Sequence, residues 1–171
     1  MTKGMNVEAI IRLLKLKPLD FEGGYFAETY RSGESIPAHA LPKRYRGKRG
    51  HGTAIYFLLT PDTFSAIHRL KSDEVFHYYA GDPVEMLLLQ SKDKGQRLLL
   101  GTDLRKRQRP QIIVPRGVWQ GARLVTGGKW ALLGTTVAPG FEREDFELGK
   151  RNVLIAKYPK YARLIVSLTK W

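Results

Sequence analysis

Histidine 68 stands in the stretch "SAIHRLKSDEVFHYYAG" (65–81), with a glutamate at 74 and a glycine at 81. An imidazole and a carboxylate this close in alternating sequence can share a metal ion, move a proton without one, or form a buried pair with no chemistry. A site for a first-row divalent ion wants three or four nitrogen, oxygen or sulfur ligands. His68 and Glu74 supply two, Gln120 offers only a weak amide oxygen, and Leu70 offers nothing. His77 lies an odd number of residues from Glu74, so a regular strand turns it the other way. The chain has no cysteine, which removes thiolate ligands and disulfides together. The metal-free reading suits these residues better. A histidine beside a carboxylate in a partly apolar cavity is held near neutral pKa in one tautomer, ready to take a proton α to a carbonyl. Tyr25, Tyr56 or Tyr78 could return one, and no spacing selects among them. His68, Glu74 and Tyr78 are the expected catalytic set, with no metal and no cofactor.

Composition bounds what such a site could serve. With 171 residues, 43% of them hydrophobic, the chain is expected to form one domain over residues 1–171 with a substantial core. No apolar run approaches the ~20 residues of a membrane span. The start "MTKGMNVEAIIRLLKLKP" is broken by Arg12 and Lys15 and lacks a small-residue cleavage site, so a cytoplasmic protein is expected. Lys and Arg number 29 against 16 Asp and Glu, a formal charge of +13. A field of that sign attracts phosphates, nucleotides, nucleic acid or anionic lipid. Much of the charge lies in "LPKRYRGKRG" (41–50) and "DLRKRQRP" (103–110). The plain reading is solvated loops; the sharper one is a rim that draws an anionic ligand toward a pocket. Nucleic acid ranks third, because neither segment matches a helix-turn-helix, zinc-finger or RNP pattern.

The elements that must position these residues follow from periodicity. Asn6 is placed to cap a helix whose stripe is Val7, Ile10, Ile11, Leu13 and Leu14, closed by Pro18. A Gly pair then introduces a strand over 23–32, and 33–52 reads as a long polar, basic loop. Eight short apolar segments follow between 53 and 139, separated by turn signals such as "TPD", "KSD", "AGDP", "KDKG" and "TGGK". Short strands at near-regular spacing argue for an antiparallel sandwich or barrel. After Phe146, Leu154, Ile155, Tyr158, Leu164, Ile165 and Leu168 fall at helical offsets around Pro159, giving two short C-terminal helices.

Beyond periodicity, the spacing of His68, Leu70, Glu74 and Gly81, then Pro115, Gly117 and Gln120, resembles the two motifs of cupin barrels, with Leu70 and Gln120 at two of the four usual ligand positions. More specifically, the chain resembles the cupin-5 family, which is largely uncharacterised. The blocks that carry the resemblance are "EGGYFAETYRS" (22–32), "TAIYFLL" (53–59), "SAIHRLKSDEVFHYYAGDPVEMLLL" (65–89), "VPRGVWQGARL" (114–124) and "LLGTTVAPGFEREDFELG" (132–149). It departs from the family at Asp20-Phe21, where histidine-proline is usual, and at Phe76, where tryptophan is usual.

The resemblance implies an all-β antiparallel jelly-roll barrel, here with an N-terminal helix and short C-terminal helices, commonly a homodimer with a ligand cavity at one mouth. The better-understood relatives it points to are epimerases of nucleotide-linked keto-deoxysugars, which use a carboxylate-paired histidine and a tyrosine without metal. The expected function is binding of a small anionic ligand, a purine nucleotide or nucleotide sugar, with isomerase or epimerase chemistry. The alternatives are a metal-dependent cupin oxygenase or isomerase, and a non-enzymatic basic module for nucleic acid or a protein partner. Expected ligand contacts are Glu22, Tyr25, Glu28, Tyr56, Phe76, Trp119 and Gln120, with core packing as the competing role for Trp119. Arg69 and Lys71 are expected outside the cavity. Phe141, Glu142, Asp145 and Phe146 are expected to cap the following helix, and His39 and His51 to be solvated.

Overall fold

The computed structural model describes residues 6–90 and 94–170. Helix α1 (Val7–Leu13) is capped by Asn6, whose side-chain oxygen accepts the Ala9 N–H at 2.9 Å. Fourteen strands follow among the described residues: β1 (Lys17–Pro18), β2 (Tyr25–Arg31), β3 (Ser35–Ile36), β4 (Arg49–Gly50), β5 (Thr53–Leu59), β6 (Phe64–Leu70), β7 (Asp73–Gly81), β8 (Val84–Leu89), β9 (Gly95–Leu100), β10 (Gln108–Arg109), β11 (Gln111–Val114), β12 (Trp119–Leu124), β13 (Ala131–Ala138) and β14 (Phe146–Leu148). Helices α2 (Arg151–Lys157) and α3 (Ala162–Ser167) close the chain, with Pro159 starting the short 3-10 turn between them. Half of the expected turn at "KDKG" (92–95) falls outside the described residues, as does the first part of the N-terminal segment.

Two six-stranded sheets, ordered β1-β2-β5-β13-β7-β11 and β10-β9-β8-β12-β6-β14, face each other as a jelly-roll sandwich. Strand β8 shows how the sequence builds it. Val84, Met86 and Leu88 turn inward to the main core, while Leu87 and Leu89 turn outward beneath α2 and α3, meeting Leu154, Tyr158, Ile165 and Leu168. Both faces are covered, so this strand reads as a continuous apolar run rather than an alternation. Its one charge, Glu85, is gripped by Arg97 and Arg123. Helix α1 covers the other sheet's outer face, where Ile10 and Leu16 meet Leu58 and Trp130. Leu13 is exposed, so the stripe expected on α1 is narrower by one residue.

The space between the sheets is divided along the strands. On β5, Phe57 and Leu59 join the packed core while Thr53 and Ile55 face a cavity. On β13, Leu133 packs and Thr135 and Val137 line the same cavity. On β7 the split falls between Phe76 and Glu74. One end of the sandwich is filled; the other is hollow.

Two expectations for loops are corrected. The loop over 33–52 is not simply solvated: Arg49 is only 2% exposed and clamps Asp145 through Nε at 2.7 Å. Asp145 and Glu142 therefore do not cap the following helix; α2 begins at Arg151 after Lys150, whose side chain makes no cap, and Phe146 opens strand β14.

Candidate active site

The hollow end holds a cavity of about 360 Å³ with mostly apolar walls: Leu19, Phe21, Phe26, Ile55, Leu70, Val137 and Phe141. Its buried end carries His68, Glu22 and Glu74, and Glu28, Arg31 and Arg143 also line it.

Glu22 is delivered by the turn ahead of β2. Gly23 and Gly24 follow it at φ of 119° and 72°, a region disfavoured for other residues, and a Cβ on Gly23 would lie 2.2 Å from the Phe64 carbonyl oxygen. This close approach lets the Glu22 carbonyl accept the Ala66 N–H at 3.1 Å, which ties the turn to β6. Strand β6 itself slips by one residue against β12, pairing Gln120 with His68 but Ala122 with Ser65. The slip is a bulge beside the site, and it allows Ser65 and His68 both to face inward although they are an odd number of residues apart. Ser65 Oγ donates to Glu22 Oε1 at 2.6 Å.

The imidazole of His68 is fixed on three sides. Its Nδ1–H donates to the Ala66 carbonyl at 2.8 Å, which sets the tautomer. Its ring stacks on Phe146 with centroids 4.7 Å apart. Nε2 faces Glu74 Oε2 at 3.9 Å and Glu22 Oε2 at 4.0 Å, ion-pair rather than hydrogen-bond separations. Gln120 Nε2 donates to Glu74 Oε2 at 2.6 Å. The amide's other atom, Oε1, is buried without a partner, the one such side-chain atom among the described residues.

These contacts fix the charges. Burial opposes a proton on His68, but the charges of Glu22 and Glu74 outweigh it and push the imidazole up to about 9. Burial raises the Glu22 carboxyl above its ordinary value, Glu74 adds to the rise, and His68 and Ser65 work against it. The imidazole expected near neutral pKa is therefore an imidazolium at pH 7, because a second carboxylate stands where one was expected.

The other sequence-derived residues divide by strand parity. Glu28 reaches the cavity and binds Arg31. Gln120 holds Glu74. Phe76 is packed in the core. Tyr25 and Tyr56 lie on the outer face with α1, and Trp119 lies outside against the C-terminal helices with Arg69 stacked over it. Tyr78 packs against the core and gives its hydroxyl to the Gly81 carbonyl, and burial with Asp82 nearby raises its pKa. No tyrosine is among the cavity residues. Arg69 and Lys71 lie outside as expected, bound to Glu147 and Asp145. His77 also turns away, stacking on Tyr79. Sequence reasoning missed Phe21, Phe26, Ser65 and Arg143. Phe26 was recoverable, since it shares parity with Glu28; Ser65 was hidden by the bulge.

The model of the Cupin_5 family, described as cupin superfamily (DUF985), matches residues 8–149 and so takes in the Glu22 turn and both halves of the site. The chain belongs to the Cupin_5 family. An uncharacterised protein of Saccharomyces cerevisiae is 27% identical over 132 residues, covering 72% of this chain and 66% of its own length, just under two thirds. A hypothetical protein from Leishmania major superposes with a TM-score of 0.85 at 30% identity, covering 98% of this chain and 100% of that one. A Shewanella oneidensis protein gives 0.85 at 31% identity, with 97% and 98% covered. Oxalate decarboxylase of Bacillus subtilis shares the fold alone, at 15% identity and a TM-score of 0.52 over 86% of this chain and 35% of that one.

Many cupins place a metal at this end of the barrel, but the donors here do not fit one. Leu70 occupies one usual ligand position, and Gln120 at the other turns its amide N–H, a donor, to Glu74. Glu22, Glu74 and His68 meet as an ion-paired cluster, and among the described residues no three His, Asp or Glu side chains are disposed to hold a metal ion. In its residues this Cupin_5 site is two carboxyl groups, Glu22 and Glu74, around one imidazole, His68.

Proposed function

We propose that this Cupin_5 protein binds a small organic anion of nucleotide or nucleotide-sugar type and moves a proton on it without metal, as an isomerase or epimerase does. The observation that carries this reading is an apolar cavity ending on a buried imidazole between two carboxyl groups. A volume of about 360 Å³ holds one ring, toward the small end of ligand pockets at roughly 300–1,000 Å³. The rest of a larger ligand extends to the mouth. There Arg143 stacks over Phe21 and Phe146 and makes no ion pair among the described residues, so its charge is free for an anionic group.

The residues support one division of labour. His68 Nε2–H, with no hydrogen-bond acceptor in reach, donates to a ligand carbonyl oxygen. One of Glu22 and Glu74, ionised, takes the proton from the adjacent carbon; the C–H electron pair becomes a C=C bond and the carbonyl π pair moves onto the oxygen, which receives the His68 proton. The other, entering the cycle protonated, gives its proton to carbon as the enol O–H returns to His68; delivery to the opposite face inverts the centre, and exchange with solvent resets the two carboxyls. The tyrosine acid of the sequence reading has no place in this scheme.

A thermal-shift and calorimetric screen of nucleotides and nucleotide sugars at millimolar concentration tests binding, with His68→Ala and Glu74→Gln as controls. Stabilisation of the wild type, lost in both variants, is expected. Uniform failure to stabilise, or stabilisation indifferent to both changes, overturns the proposal. For a bound ligand, deuterium uptake from solvent at the carbon beside its carbonyl reports turnover.

A further inference from the structure

A second concavity, of about 590 Å³, shares Leu70 with the cavity. Arg44, Arg46, Arg69, Lys71 and Arg116 line it, against Glu144, Asp145 and Glu147. The carboxylates are spoken for: Glu144 and Asp145 by Arg49, Asp145 also by Lys71, and Glu147 by Arg69. Arg44, Arg46 and Arg116 have no carboxylate partner among the described residues. Arg44 instead donates to the Lys71 carbonyl and stacks on Tyr45.

These three guanidiniums sit on chain that is already fixed. The loop carrying Arg44 and Arg46 is anchored on one side by buried Arg49 in the grip of Asp145. On the other, Tyr45 is buried and its hydroxyl bonds Ser72 at 2.9 Å. The turn carrying Arg116 is held by its own N–H on Asp73 Oδ1 at 2.7 Å and by the Gly117 N–H on the Leu70 carbonyl at 2.9 Å. Holding like charges together costs free energy, and two separate loops are built to do it. That ordering is spent before any ligand arrives, which is what an anion site needs. A guanidinium presents a planar fork that matches two phosphate oxygens. Forks from two separate loops lining one concavity suit adjacent phosphates better than one.

We propose that this groove is a binding site for a di- or polyphosphate group, independent of the cavity and of the reading given for it. Calorimetry with inorganic pyrophosphate, ADP and orthophosphate, at low and physiological salt, tests it. Pyrophosphate and ADP are expected to bind more tightly than orthophosphate. The double variant Arg46→Glu/Arg116→Glu, both exposed positions, is expected to weaken pyrophosphate by at least about tenfold, the loss of one charge-assisted contact or more. Filling the cavity with Val137→Phe leaves pyrophosphate binding unchanged, which separates this site from the other. Equal affinities for pyrophosphate and ADP assign the contacts to phosphate alone; tighter ADP adds a nucleoside contact at the same site. The proposal is overturned if pyrophosphate does not bind or if the double variant binds it like the wild type. It is equally overturned if only a single-stranded RNA binds, which would make the groove a nucleic-acid surface.

Discussion

The proton on His68 is the smallest feature on which the site depends. The native state holds it more tightly than the unfolded chain does, with the pKa raised from 6.5 to about 9. The sign follows directly: the stabilisation is fully present below pH 6.5 and is lost as pH rises through 9. Wild type and His68→Gln, compared by chemical denaturation from pH 6 to pH 10, should differ in slope over that window, by a few kcal/mol in total. Parallel curves would show that the imidazole is not held charged. Glu22 depends on a single donor in the same way. Ser65→Ala leaves Glu22 Oε1 buried and unpaired, at an expected cost of about 1–3 kcal/mol measured by urea unfolding. His68 and Glu74 were legible in the sequence because both are the chemically capable residues of one inward-facing run. Their charge state was not, because the second carboxylate comes from a turn more than forty residues away in the chain.

At the scale of elements, the long strands were readable and the short ones were not. "TAIYFLLT" and "VEMLLLQ" carry enough apolar residues to declare a strand alone, whereas Ser35–Ile36 and Arg49–Gly50 are strands only because each has the other to pair with. The two C-terminal helices were readable from their offsets, since the face they bury over Ile67, Leu87 and Leu89 is the same face that sets the period. The basic loop was misread because composition does not say which of its arginines finds a buried acid. Arg49→Met should cost about 3–5 kcal/mol by leaving Asp145 buried without its partner. The released loop should also become a site of limited proteolysis between residues 33 and 52. A variant as stable and as protease-resistant as the wild type would mean that the ion pair does not hold the loop.

The whole molecule is a sandwich filled at one end and hollow at the other. Val137→Phe places a ring in the cavity. The fold should survive, with a stability change within about 1–3 kcal/mol, while ligands of the cavity lose affinity by calorimetry. Retained affinity would move the ligand elsewhere. No helix among the described residues is long and apolar enough to cross a membrane.

By itself the sequence determined the class of fold, the number and kind of long elements and two residues of the candidate site, because period, turn residues and residue chemistry are local properties. Only the tertiary structure decided that Glu22 and Ser65 join them, that Tyr25, Tyr56 and Trp119 face outward, and that Arg49 is buried. Those outcomes rest on register, on one bulge in β6 and on contacts between distant segments, and register is a relation between strands that no single strand encodes.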